Sequence, residues 1–177
     1  RMINLTKNNV FNTRTKQVLD DVEAINFIPY QFSTFILNGN ASSGNGSYTA
    51  KIGDSVSFSF NVTPLSNDLL GKGITSQKSY SIKDTSQGTA AVAGSKEANP
   101  NKTLAGSYNF KAEGTVTIDC YNNFYYNGES IFSWMKELVY SVQLATYTVS
   151  GTISGVDSST TSTIELLKYV GPGYESY

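Results

Sequence analysis

The chain has 177 residues and a formal net charge of −1, and charged side chains make up only 15% of it, against about a quarter in an average globular domain. It has no histidine and a single cysteine, Cys120. That excludes Ser-His-Asp and Cys-His nucleophile machinery, histidine-ligated zinc and an intrachain disulfide, and the charge balance leaves no electrostatic footprint for nucleic acid.

Residues 2 to 12 read as a short strand running into a turn. Val18, Leu19, Val22 and Ile25 fall at helical spacing, which predicts a short helix over 13–25, ended by Pro29. Tyr30 to Leu37 alternates, then switches parity, as a strand with a bulge would. Asn38 to Ser47 is a loop, whose Asn-Gly pairs supply the positive φ that tight turns need.

The most legible run is 48–63. Val56, Phe58, Phe60 and Val62 alternate with Ser55, Ser57, Ser59 and Asn61. At period 2 this places four large apolar groups on one face of a strand. Tyr48, Ala50 and Ile52 alternate just upstream, and Gly53-Asp54 lies between, so the two halves are expected to pair as a hairpin. Pro64 stops the second strand, because it cannot donate to a ladder.

Ser79 to Lys83 is a short alternating strand. The polar stretch 84–105 is too long to be structureless in a compact domain, so a strand is expected inside it near 89–92. Residues 106–120, GSYNFKAEGTVTIDC, parallel 46–60, GSYTAKIGDSVSFSF. Either this is a repeat or it is the common grammar of strand, turn and strand; two copies do not establish an array. Cys120 reads as a small buried hydrophobe. Ile131, Met135, Leu138 and Val142 predict a short helix or turn at 131–136, with Lys136 and Glu137 outward. A long strand follows to about residue 150. Residues 162–170 form a last strand, and 171–177 a tail. The expectation is an all-β, antiparallel, jelly-roll-like sandwich of about eight strands with one or two short helices. It forms one domain over 1–170.

The candidate functional residues are aromatic and amide groups near the end of a strand: Tyr121, Asn123, Tyr125, Tyr126 and Asn127, with Trp134, the sole tryptophan, close behind. Sugars present flat C–H faces and a rim of hydroxyls. Tyrosine and tryptophan rings suit the faces, and amides suit the hydroxyls. The competing reading is that Phe124 and Trp134 are core and the tyrosines merely edge a sheet. Most large aromatics pack, which weighs toward that reading. The acids, Asp119, Glu129 and Glu137 among them, sit in no motif, and a glycosidase would need two across a cleft. Loop oxygens at Asn67-Asp68, Asp84 and Asp157 offer weak calcium ligation with no EF-hand pattern. No cofactor, no metal and no catalytic group is expected.

An opening Asn4-Leu5, the run Tyr48-x-x-Lys51-x-Gly53-Asp54-Ser55-x-Ser57-Phe58-Ser59-Phe60, and Gly114-Thr115-Val116-Thr117-Ile118 follow one another along the chain. In this ordering the sequence resembles the jelly-roll carbohydrate-binding modules of phage tail and baseplate proteins and of bacterial surface proteins. The resemblance implies a non-catalytic module, extracellular or on a virion, that recognises cell-surface glycan. The alternative is a structural or assembly subunit of a virion, tail or surface fibre, meeting a protein partner or forming a homo-oligomer. No nucleic-acid partner and no membrane insertion are expected.

Overall fold

A computed structural model describes residues 30–155, 157, 159, 163, 165, 167–169 and 174–176. The strand expected over 2–12 and the helix expected over 13–25 lie outside the described residues. Eleven strands are described: β1 (Phe32–Leu37), β2 (Asn40–Ala41), β3 (Gly46–Lys51), β4 (Ser55–Val62), β5 (Ile74–Asp84), β6 (Ala91–Glu97), β7 (Leu104–Asn109), β8 (Gly114–Tyr126), β9 (Glu129–Gln143), β10 (Leu167–Tyr169) and β11 (Tyr174–Ser176). One short helix, α1 (Asn67–Gly71), follows the Ser66 N-cap.

Nine of these strands build an all-β sandwich. One sheet has the order β2-β1-β4-β7, and the other β3-β9-β8-β5-β6. All of them lie in the compact unit Arg1–Ala145. The second unit, Thr146–Tyr177, contains the β10–β11 hairpin. The division thus falls at Ala145 rather than at 170, and Tyr174–Ser176, inside the expected tail, is a paired strand.

The alternation of β4 is realised as read. Val56, Phe58, Phe60 and Val62 are buried, while Ser55 and Ser57 are exposed. β1 pairs antiparallel with β4 and shifts register between Phe32 and Thr34, the expected bulge. Asn38-Gly39 turns β1 into β2 with φ of 48° and 79°, so the loop expected over 38–47 carries a two-residue strand.

The hairpin expected over 48–62 is not formed. β3 pairs in parallel with β9, and β4 pairs with β1 and β7 in the opposite sheet. Gly53 (φ 98°) and Asp54 carry the chain across the sandwich from one sheet to the other. Period-2 patterning fixes which way a side chain faces; it does not choose the neighbouring strand. The similar segment at 106–120 makes the reverse crossing, from β7 to β8. The two corners are tied together: Gly53 N donates to Phe110 O and Phe110 N donates to Asp54 O, both at 2.9 Å.

The helix expected at 131–136 is also overturned, because these residues lie within β9. A register shift opposite Phe124/Tyr125 inserts Ile131 as an extra residue, so Ile131 and Phe132 both point inward. That bulge imitates helical spacing. The missed signal is Asn127-Gly128, whose φ values of 49° and 84° suit a two-residue hairpin turn. β9 ends at Gln143, so the long strand stops short of 150.

The main core joins Val56, Phe58 and Phe60 to Ile82, Val116, Ile118, Cys120 and Leu138. Phe60 stacks on Phe35 with ring centroids 5.8 Å apart, and Phe58 meets Tyr80 edge-on at 5.0 Å. The sheets approach closely at Gly106, where a Cβ would stand 2.8 Å from the Tyr80 ring of the facing sheet and 2.5 Å from the Phe58 ring on the neighbouring strand. A second cluster, Tyr30, Leu65, Leu69, Ile74, Phe124, Ile131 and Phe132, fills the end of the larger sheet near the β8–β9 turn.

One polar link also crosses between the sheets. Tyr108 on β7 donates to Asp84 Oδ2 on β5 at 2.5 Å, and Ser86 donates to Asp84 Oδ1 from both its hydroxyl and its backbone N–H. Burial pushes the Asp84 carboxyl up, but these hydrogen bonds outweigh it and hold the group below its ordinary value. Burial, then the bond to Asp84 and its charge, push the Tyr108 phenol up to about 12.

Two outcomes follow. Phe60 has no exposed surface, so Phe60→Ala should cost about 3–5 kcal/mol in urea unfolding. The Tyr108 contribution to stability is complete below pH 10, its unfolded value, and is lost as pH rises through about 12. Tyr108→Phe should therefore lower stability by about 1–2 kcal/mol at neutral pH. Melting curves across the alkaline range should show that the loss shrinks toward zero above the folded value.

Candidate functional site

β8 runs between β9 and β5 in the larger sheet, with an unbroken ladder to β5 and a ladder to β9 interrupted only by the bulge at Ile131. Alternate side chains therefore leave it in opposite directions. Val116, Ile118, Cys120, Asn122 and Phe124 point into the sandwich and are buried. Thr117, Asp119, Tyr121, Asn123 and Tyr125 stand on the outer face.

This alternation splits the residues that look clustered in sequence. Tyr121, Asn123 and Tyr125 share the outer face. Tyr126 and Trp134 belong to the inner parity and pack against the second core cluster. Trp134 meets Phe132 edge-on at 5.2 Å. Asn127 sits in the hairpin turn. Phe124 is fully buried, so the packing reading holds for it, and Trp134 lies on the core side rather than beside the outer tyrosines.

On the outer face, Tyr121 is flanked by Met135 on β9 and Ser79 on β5, Asn123 by Ser133 and Gln77, and Tyr125 by Ser130 and Thr75. Met135 is half exposed. The Asn123 amide spans three strands: its Nδ2 donates to Ser79 Oγ at 2.9 Å and Gln77 O at 3.2 Å, and its Oδ1 accepts from Ser133 Oγ at 2.8 Å. Asn123 is thus a strut between the tyrosines rather than a free donor. Tyr125 lies four positions after Tyr121, about 13 Å along β8.

Below Tyr121 lies Asp119, opposite Glu137 on β9 and Ser81 on β5. Asp119 is only 5% exposed. Its Oδ2 is 3.8 Å from Lys83 Nζ, and its Oδ1 has no hydrogen-bond partner among the described residues. Burial, and then the charges of Asp119 and Glu137, push the Tyr121 phenol up. The face therefore combines two aromatic rings, a thioether, hydroxyls and two neighbouring carboxylates. Sequence reasoning left out Asp119, Glu137, Met135, Gln77 and Ser133. The signal that could have found them is parity: the odd positions of 117–125 share a face, and their cross-strand neighbours come with them.

The inner side of β8 and of its neighbour β5 carries a polar layer between the two cores. Asn122 Nδ2 donates to Tyr30 O at 2.6 Å, and Lys78 Nζ donates to Asn99 O at 2.9 Å. Burial pulls the Lys78 amine below its ordinary value, partly opposed by Glu97. Asn122 Oδ1 and Trp134 Nε1 have no partner among the described residues.

The loop acids considered for calcium are dispersed. Asp68 lies in the first turn of α1, Asp84 is engaged by Ser86 and Tyr108, and Asp157 accepts from Ser159 N at 2.9 Å. Among the described residues no three His, Cys, Asp or Glu side chains gather as a metal site. Cys120 is buried, and burial followed by the Asp119 charge pushes its thiol up to about 12, so it is no nucleophile at neutral pH. No protein-family model matches the chain, and no curated protein matches it.

Because Asn123 braces three strands, Asn123→Ala should destabilise the fold by about 1–3 kcal/mol. Denaturant titration should place this loss well above that of Asn127→Ala in the exposed turn.

Proposed function

We propose that the chain is a non-catalytic binding and adhesion module, extracellular or on a virion surface, that recognises cell-surface carbohydrate on the outer face of its five-stranded sheet. The observation that carries this reading is the pair Tyr121 and Tyr125, projecting from one side of the central strand with Asn123 bracing the surface between them. Tyrosine rings pair with the C–H faces of sugar residues, and their hydroxyls reach the polar rim. Glu137, exposed beside Tyr121, adds an acceptor for sugar hydroxyls. The separation of about 13 Å along the strand suits a ligand longer than one sugar ring, lying along β8. A flat face of this kind takes an extended chain rather than an enclosed small molecule.

A glycan array would find the ligand class, and calorimetric titration would measure it. Tyr121→Ala and Tyr125→Ala should each weaken binding by about tenfold or more, the effect of removing a central aromatic contact. Trp134→Ala should leave affinity unchanged in protein that remains folded, because that ring lies on the other side of the sheet. Undiminished binding by the double tyrosine variant would reject the face.

A second reading, an assembly subunit of a virion, tail or surface fibre, is favoured by a separate observation. Leu144, Tyr147, Val149 and Ile153 are large apolar residues left exposed. Light scattering after size exclusion separates the two readings, since an oligomer without sugar affinity supports assembly.

A further inference from the structure

Residues 144–154, LATYTVSGTIS, have the composition and the alternation of a β-strand. Ala145, Tyr147, Val149 and Ile153 fall on one parity, and Leu144, Thr146, Thr148, Ser150, Thr152 and Ser154 on the other. β-Branched and aromatic residues dominate, as in a half-buried strand. Yet none of these residues belongs to a ladder. The apolar parity faces solvent: Tyr147 is 86% exposed and Val149 69%.

The segment is out of phase with the strand that precedes it. In β9 the inward residues are Leu138, Tyr140 and Val142. Continued in the same register, the inward positions would be Leu144, Thr146, Thr148 and Ser150, and the apolar stripe would lie on the outer side. A one-residue slip moves every side chain to the other face. As an extension of β9, then, this sequence beyond Leu144 would place its hydroxyls in the core and Tyr147, Val149 and Ile153 outside. Its pattern suits a different sheet edge.

The edge strands differ in how they are guarded. β6 carries Lys96 and Glu97, and β3 ends on Lys51; charged residues on an edge oppose further pairing. The outer side of β1 is partly capped by β2. β7, LAGSYN, carries no charge and no proline, and among the described residues nothing pairs on its far side. Beside it runs a groove of about 280 Å³ lined by Gln87, Val92, Ser107, Tyr108, Asn109 and Lys111. The stripe from residue 145 to 153 would extend about 30 Å, and the six residues of β7 about 20 Å, so the segment is long enough to cover the edge. Residues 144–154 are themselves uncharged, so no like-charge contact opposes the pairing.

We propose that residues 144–154 of one copy add as a strand to the edge of β7 in a second copy, the edge that no described strand covers, with Tyr147 and Val149 turned into the groove. Main-chain hydrogen bonds supply the affinity and the alternate side chains the specificity. Because donor and acceptor are different surfaces, the contact is heterologous: it closes by reciprocal exchange or runs on into a filament. The inference supplies the contact for the assembly reading and is independent of the sugar-binding face.

The test is the mass of the full chain by size exclusion with light scattering over a concentration series. The native chain should exceed one-chain mass. A donor variant, Tyr147→Lys with Val149→Lys, should run as a monomer, and so should an acceptor variant, Ser107→Lys with Asn109→Lys. All four positions are solvent-exposed or lie at the rim of the groove, so folding is preserved, and far-ultraviolet circular dichroism checks it. Mixed together, the two variants retain one intact donor and one intact acceptor and should form a two-chain complex. A native chain that stays monomeric overturns the inference and the homo-oligomeric form of the assembly reading. An oligomer that persists in the donor variant, or a mixture that stays monomeric, overturns the inference alone and leaves assembly through another surface.

Discussion

The two sheets differ in length, and most of the architecture follows from covering the difference. β8 has 13 residues and β9 has 15, while β1, β4 and β7 in the facing sheet have 6, 8 and 6. The stripe Val56, Phe58 and Phe60 covers only one end of the larger sheet, around Ile118, Cys120 and Leu138. Beyond that, the inward groups of β8 and β9 still have to leave water, since each large apolar side chain buried contributes about 1.5–3 kcal/mol. Tyr30, Leu65 and the helix residue Leu69 take over there, packing on Ile74, Phe124 and Phe132. Asn122 and Lys78 lie on the inward side of the same strands, and both bond to backbone carbonyls that lie outside the two sheets. A buried polar group needs such a partner, so these two residues tie Tyr30 and the loop at Asn99 to the sheet.

The same alternation decides what the protein offers outside. Once Ile118, Cys120, Asn122 and Phe124 are committed inward, Asp119, Tyr121, Asn123 and Tyr125 have no choice but the outer face. Asn123 then spends its whole amide on Ser79, Gln77 and Ser133. Its role is to stiffen the surface between the tyrosines. Side chains held in place before a ligand arrives lose less entropy on binding.

These relations explain why some features were legible in the sequence and others were not. The inward set of β4 could be read directly, because Val56, Phe58, Phe60 and Val62 alternate with small polar residues without interruption. The bulge in β1 was visible as a change of parity. The sheet to which β3 belongs was not, because Tyr48, Ala50 and Ile52 would face a core equally well from either side. The helix read at 131–136 arose from one inserted residue, Ile131, which brings two neighbours inward and breaks the strand period. The candidate site suffered from treating neighbours in sequence as neighbours in space. Tyr125 and Tyr126 are adjacent in the chain and leave the sheet on opposite sides, and Trp134 follows Tyr126 inward. Of the residues read as a site, Tyr121, Asn123 and Tyr125 are the subset that shares a parity.

Backbone hydrogen bonding separates the two surfaces more sharply than their side chains do. β8 has a partner strand on both sides along its length, so its main-chain groups are satisfied, and anything that binds its outer face must be held by side chains alone. Rings, hydroxyls and carboxylates are the groups available, and a hydroxyl-rich ligand with apolar faces answers them. Residues 144–154 and the far side of β7 stand in the opposite condition. Their side chains are small or apolar and uncharged, and they lie outside any ladder or at the end of one. No described strand pairs with their N–H and C=O groups, and such groups in water gain little from hydrogen bonding alone. They gain more when pairing also buries an apolar stripe such as Tyr147 and Val149. The proposed glycan face would select its ligand by functional groups, and the proposed strand addition would select another extended chain.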